Sequence, residues 1–201
     1  MEKYRKLPNN LEEPLSNYLY KIVHIVSNII TDNITPNEIT IFNILLRIII
    51  LYKLNKCKYD KIYILLIISC FLDYLDGYTA RRYNMITKLG DYLDHIGDYI
   101  FTIIILYIIY YKLRNSKFKK LFIIIILLFI ICISFNLGCQ EKYFSKNNSN
   151  TLNIFKLLCY DIKILKITKY FGCLLFYLFI SYIIYNNLYF FNNNNKIINK
   201  K

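Results

Sequence analysis

The chain has no tryptophan, three prolines and five glycines, and it is short of acids, with 13 Asp and Glu against 26 Lys and Arg. So little Gly and Pro excludes collagen-like repeats, flexible linkers and glycine-loop architectures. The six cysteines (Cys57, Cys70, Cys132, Cys139, Cys159 and Cys173) form no CxxC pair. No metal knuckle is therefore expected, and the cysteines within apolar runs read as small hydrophobes in reduced form. No short apolar core follows a basic start, so no cleavable leader is expected in the polar segment 1–14.

What is abundant is aliphatic and aromatic: 56% of the 201 residues are hydrophobic, including 21 Tyr and 14 Phe. That content, with only 19% charged residues, excludes general disorder. The net charge of +13 could serve nucleic acid, an acidic membrane or an anionic substrate. Lys and Arg, however, sit mostly between long apolar runs, as flanks of membrane spans do, and no nucleic-acid partner is expected.

Along the chain the pattern is helical throughout. Residues 15–31 put Leu15, Leu19, Ile22, Val23, Val26 and Ile29 at helical spacing with polar groups between, which predicts an amphipathic helix lying at the membrane interface. Thr35 and Pro36 then carry helix-start chemistry. Residues 39–54 are apolar except Asn43 and Arg47, 61–83 begin apolar and end charged, and 88–112 begin charged and end apolar. Residues 119–138 form the cleanest span, 139–152 read as a loop, 153–167 as a bent helix or a surface segment, and 168–192 as a further span. The expectation is one all-α integral membrane domain over 1–201, a bundle of about six transmembrane helices: catalytic helices in 39–113, the remaining helices in 119–191 and a polar tail in 192–201. Both sides are rich in Lys and Arg, so the positive-inside rule returns no orientation.

The chemistry lies in 73–98, where five aspartates fall in 26 residues: Asp73, Asp76, Asp91, Asp94 and Asp98. Asp73 and Asp76 are three apart and Asp94 and Asp98 four apart, so each pair shares a helix face. A turn near 83–87 makes the two helices antiparallel neighbours with the pairs facing each other. Four carboxylates cannot all stay ionised without cations between them. Oxygen ligands select hard cations, Mg²⁺ or Mn²⁺, and four shared Asp suit two ions about 4 Å apart, the arrangement of phosphoryl chemistry. Gly77 and Gly90 let a ligand approach closely, and Arg81, one turn beyond Gly77, can fork onto a phosphate. Asp91 reads as a helix-start acid, Arg82 as a headgroup contact, His24 as interfacial and His95 as a neighbour of Asp94. Arg47, in mid-helix, should face the bundle interior or water, as part of an ion pair or as an acceptor-headgroup contact.

The string Asp73-x2-Asp76-Gly77-x2-Ala80-Arg81-x8-Gly90-x3-Asp94-x3-Asp98 resembles the signature of the CDP-alcohol phosphotransferases (CDP-alcohol phosphatidyltransferase class-I) at all of its defined positions. Thr35-Pro36-Asn37-x-Ile39-Thr40 resembles the family's entry segment. The resemblance implies a multi-pass membrane enzyme, commonly a homodimer, with its active site on the cytosolic side. It implies that Asp73, Asp76, Asp94 and Asp98 hold metal, that Asp98 is also the general base, and that Gly77, Ala80, Arg81 and Gly90 line the CDP pocket. Its members cleave the pyrophosphate of a CDP-linked alcohol, release CMP and join the phospho-alcohol to a lipid or small-alcohol acceptor. Ala80-Arg81-Arg82 and Leu93-Asp94-His95 look more like the branch that uses CDP-choline or CDP-ethanolamine with diacylglycerol. The short chain looks more like the branch that transfers from CDP-diacylglycerol to serine, inositol or glycerol 3-phosphate. Tyr99, where inositol-type members usually carry a basic residue, speaks against inositol. A non-catalytic membrane partner and a divalent-cation transporter are the readings from other classes.

Overall fold

The computed structural model describes residues 4–30, 34–113, 116–144 and 151–189, and the described residues are helical with short connections. The helices are α1 (Ser16–Ile30), α2 (Pro36–Asn55), α3 (Ile62–Arg82), α4 (Lys88–Lys112), α5 (Ser116–Tyr143), α6 (Ile164–Thr168) and α7 (Cys173–Ile183).

Two helix starts explain why the site-bearing segments fold where they do. The hydroxyl of Thr35 accepts from the Glu38 N–H while the Glu38 carboxylate accepts from the Thr35 N–H at 2.7 Å, a reciprocal cap with Pro36 in the first turn of α2. The Thr87 hydroxyl accepts from the Gly90 N–H at 3.0 Å and starts α4. Between α3 and α4, Asn84 adopts the left-handed conformation that reverses the chain within the expected turn.

Among the described residues, four helical stretches are long and apolar enough to cross a membrane: Ile62–Arg82, Lys88–Lys112, Lys117–Tyr143 and Ile164–Asn186. The 20-residue α2 carries Glu38, Arg47 and Lys53 and is not among them. It turns Ile41, Phe42, Leu45, Ile48, Ile49 and Tyr52 outward, and α4 does the same with Ile100, Ile103, Tyr107 and Tyr111. Apolar faces this continuous are not left to water. Together with the four long apolar stretches they mark a membrane protein.

The main core joins α2 (Ile50, Leu54), α3 (Ile62, Leu66, Cys70), α4 (Phe101, Ile105, Ile109), α5 (Phe122, Ile126) and α7 (Phe176, Ile180). A second cluster ties α1 to α2 and α3 through Tyr20, Val23, Ile39, Leu75 and Tyr78. The face of α1 that packs on the protein is Ser16, Tyr20, Val23 and Ser27, while Tyr18, Ile22, Ile25 and Ile29 point away.

Three expectations need revision. Residues 139–143 are not loop: they are the last turns of α5, and residues 145–150 lie outside the described residues. Of the two readings of 153–167 the bent helix fails: the stretch is a 3-10 turn at Asn153–Leu158, a non-helical link and the short α6, with Ile154, Leu157 and Tyr160 exposed as a surface segment would have them. The cysteines are not all reduced. Cys139 at the end of α5 is bonded to Cys159 just after the 3-10 turn, and the pair is buried with Leu7, Leu11 and Leu165. Residues 20 apart in sequence with no CxxC spacing carry no local signal for that bond. The polar segment before α1 is also folded down. Glu13 accepts from the Leu174 and Leu175 N–H groups (3.3 and 2.8 Å) and so caps α7, and it takes a third bond from the Tyr74 hydroxyl.

Candidate active site

The start of α2, the end of α3, the start of α4 and the end of α5 meet at one end of the bundle. They enclose a cavity of about 780 Å³ together with residues Tyr4–Pro8. Asp76, Gly77, Ala80, Arg81, Gly90 and Asp94 all line it, so six of the eight motif residues open onto one space. The other two, Asp73 and Asp98, lie behind them at the level of Arg47.

Three of the four expected metal-holding acids come together. Asp73, Asp94 and Asp98 each offer a carboxylate oxygen within 4.8 Å of the others. Asp76 stands outside this set. Its side chain is 1% exposed, its Oδ2 accepts from the Thr40 hydroxyl at 2.7 Å, and its Oδ1 has no hydrogen-bond partner among the described residues. A buried carboxylate oxygen without a donor is costly unless a cation supplies the missing contact. Carboxylates brought together from α3 and α4, all oxygen donors and one oxygen left over, fit a hard divalent cation well.

The glycines have steric reasons. A Cβ on Gly90 would meet Asn37 Oδ1 at 2.6 Å and Thr87 Oγ1 at 3.0 Å, so a side chain there would have to displace these two where the starts of α2 and α4 touch. A Cβ on Gly77 would lie 3.1 Å from Arg81 Nη1, so the bare backbone there gives the guanidinium its room beside α3. Arg81 Nε donates to the Tyr4 carbonyl at 2.9 Å, which aims the fork across the cavity.

The flanking residues divide. Arg47 is buried and ion-paired with Asp73 and Asp98, so of its two readings the structure selects the ion pair over a headgroup contact. Arg82 does not reach outward to headgroups. Its Nη1 donates to Ser27 Oγ at 2.8 Å and locks α3 to α1, because the neighbouring helix offers a fixed acceptor. His24 meets the Tyr78 hydroxyl at 2.9 Å, so it bridges α1 and α3, and burial followed by the nearby Arg82 charge holds its imidazole below the usual range. His95 turns back to Asp91. Its Nδ1 lies 2.8 Å from the Asp91 carbonyl oxygen, 3.2 Å from Asp91 Oδ1 and 4.0 Å from Asp94, and because a carbonyl only accepts, Nδ1 is the donor to it.

Sequence reasoning missed the far wall of the cavity. Tyr4, Lys6, Glu141 and Phe144 line it, and Lys6 pairs with Glu141 at 3.5 Å. Burial pushes the Lys6 amine below the ordinary lysine range despite Glu141. No local pattern links residue 6 to residue 141. Thr40 did carry a signal, as the last residue of the entry segment, but its carboxylate partner is 36 positions away.

Comparison with known proteins adds the family. The model for CDP-alcohol phosphatidyltransferase matches residues 33–191, most of the chain. Over 67 residues the chain is 33% identical to a CDP-diacylglycerol–glycerol-3-phosphate 3-phosphatidyltransferase of Aquifex aeolicus, covering 33% of this chain and 38% of the relative. It is 35% identical over 102 residues to ethanolaminephosphotransferase 1 of Pongo abelii, covering 49% of this chain and 24% of the relative. A third relative, archaetidylinositol phosphate synthase of Pyrococcus horikoshii, is 35% identical over 65 residues, covering 32% of this chain and 35% of the relative. The chain thus spans well under half the length of each of these relatives. No solved structure matches it.

Proposed function

We propose, since the chain belongs to the CDP-alcohol phosphatidyltransferase family, that it moves a phospho-alcohol group from a CDP-linked alcohol to a hydroxyl acceptor in a membrane, with release of CMP. The observation that carries this is the cavity itself: motif residues from α3 and α4 converge on one space bordered by a cluster of carboxylates.

Each residue's task follows from its place. Arg81 forks onto the pyrophosphate of the donor, and the absent side chains at Gly77 and Gly90 leave room for it. Asp73, Asp94 and Asp98, with the open oxygen of Asp76, would hold Mg²⁺ or Mn²⁺. When bound, such ions neutralise phosphate charge and stabilise the departing CMP. Asp98 keeps one oxygen on Arg47, and its other oxygen, with two lone pairs, both faces the cation and takes the acceptor's hydroxyl proton.

The donor reading leans to CDP-choline or CDP-ethanolamine with diacylglycerol as acceptor. It is supported by Ala80-Arg81-Arg82, by His95 after Asp94, and by the 102-residue match to the ape enzyme. The second reading, CDP-diacylglycerol with glycerol 3-phosphate, is favoured by the bacterial relative, whose length this chain covers more fully (38% against 24%). In this proposal α2 is a fifth crossing of a bundle of about six, α1 lies in the interface on its Ile22–Ile25–Ile29 side, the cavity opens to the cytosol, and the enzyme is a homodimer. Purified protein in detergent or lipid discs, given a panel of CDP-donors with Mg²⁺ or Mn²⁺, should release CMP only with the matching donor and acceptor and stop with EDTA. Absence of CMP release from every donor would refute the transferase reading, and turnover that survives EDTA would refute the metal. The mass of the purified particle tests the dimer.

A further inference from the structure

Arg47 sits in the middle of α2 with 3% of its surface exposed. A guanidinium at that depth persists only when partnered, and here it is partnered from three other helices. Nε donates to Ser69 Oγ of α3 at 3.1 Å, and Ser69 in turn donates to Asn43 Oδ1 at 2.7 Å. Nη2 lies 3.4 Å from the Tyr177 hydroxyl of α7, and the ring of Phe101 on α4 stands 5.4 Å from the guanidinium carbon. With that anchorage the fork reaches one oxygen of each of two acids: Nη2 meets Asp73 Oδ1 at 3.2 Å, and Nη1 pairs with Asp98 Oδ1.

We propose that Arg47 is a positioning residue of the carboxylate cluster. From α2 it sets the separation and rotamers of Asp73 on α3 and Asp98 on α4, and it leaves the second oxygen of each for a divalent cation. The inference rests on the metal reading above and assigns a role to a residue outside the signature. Substrate does not compete for this side chain, because its donors are committed inside the bundle and 4% of it is exposed. A mere counter-charge would act with the opposite sign: a fixed positive charge beside the acids weakens cation binding unless the order it imposes outweighs the repulsion.

That difference in sign is testable without turnover. Full-length protein is titrated with Mn²⁺, and free Mn²⁺ is read by electron paramagnetic resonance. Arg47→Lys keeps the charge and loses the fork. It should bind Mn²⁺ roughly ten- to a hundredfold more weakly, the usual loss when a residue that orients a metal ligand is changed. The metal activation constant for CMP release should move by the same factor, while KM for the donor at saturating metal changes little. Tyr177→Phe removes only one anchor and should weaken Mn²⁺ by roughly two- to tenfold, which keeps the test open if Arg47→Lys fails to fold. Leu54→Ala, buried on the same helix away from the acids, should lower the melting temperature and leave Mn²⁺ affinity alone. Unchanged or tighter Mn²⁺ binding by Arg47→Lys, or by Tyr177→Phe in its place, overturns the inference. No Mn²⁺ bound by the wild-type protein overturns the metal reading and the inference with it.

Discussion

Thr40 offers a clean perturbation of the site, because one hydroxyl holds one carboxylate and little else. Its Oγ1 lies 2.7 Å from Asp76 Oδ2 and 3.1 Å from the Pro36 carbonyl oxygen. A hydroxyl has one proton, and the shorter contact to a charged acceptor takes it. Thr40→Val keeps the volume and the branching at Cβ, so helix propensity and packing change by a few tenths of a kcal/mol at most. The carboxylate is 1% exposed and already lacks a partner on Oδ1, so the loss leaves it without any donor among the described residues. A hydrogen bond to a charged group contributes about 1.5–3 kcal/mol. If Asp76 must be ordered to carry the donor through the transition state, kcat/KM should fall by roughly ten- to a hundredfold. Thr40→Ser, which keeps the hydroxyl, should stay within a few-fold of wild type. CMP release by purified variants at matched metal and lipid measures all three. Equal activity of Thr40→Val and Thr40→Ser would show that this bond does not organise the site.

Asp98→Asn should abolish turnover and leave much of the donor binding, since removing a base costs chemistry more than ground-state affinity; near wild-type CMP release would sink the base assignment. Arg81→Lys should lower kcat/KM by roughly ten- to a thousandfold, from lost charge-assisted bonds. Arg82→Lys should instead lower the melting temperature, since Arg82 ties α3 to Ser27 of α1; a larger activity loss from Arg82→Lys would place the nucleotide on the wrong face of α3. Glu13 is an acid raised by burial above its usual value of 4.5, against the bonds from Leu175, Leu174 and Tyr74. Folded protein therefore binds the Glu13 proton more tightly than unfolded protein, and this contribution is fully present below 4.5 and lost as pH rises through the folded value. Glu13→Gln should flatten the fall of melting temperature as pH rises above 4.5, in part only because Glu12 is buried and raised in the same sense. A slope as steep as wild type would show that the Glu13 carboxyl titrates normally.

Much of this protein is local, and what is local is readable from the chain alone. The starts of α2 and α4, the turn at 83–87, the apolar runs and the shared faces of Asp73–Asp76 and Asp94–Asp98 each depend on residues within a helical turn or two, where spacing dictates geometry. The same holds for the motif, whose fixed residues lie within 26 positions. Tertiary structure decided what depends on long separations. It split the expected aliphatic stripe of residues 15–31: Leu15, Ile22 and Ile29 point out, while Val23 is buried beside Tyr20 and Leu19 and Val26 pack against that cluster. It brought Lys6 to Glu141, Cys139 to Cys159 and Glu13 to the start of α7. It also set Asp76 apart from the other three acids by giving it Thr40, and turned an isolated mid-helix Arg47 into the partner of two carboxylates. A charge within apolar sequence announces that it needs a partner, because its solvation is lost on burial, but only the packing of α2, α3, α4 and α7 around one point determines which partner it receives.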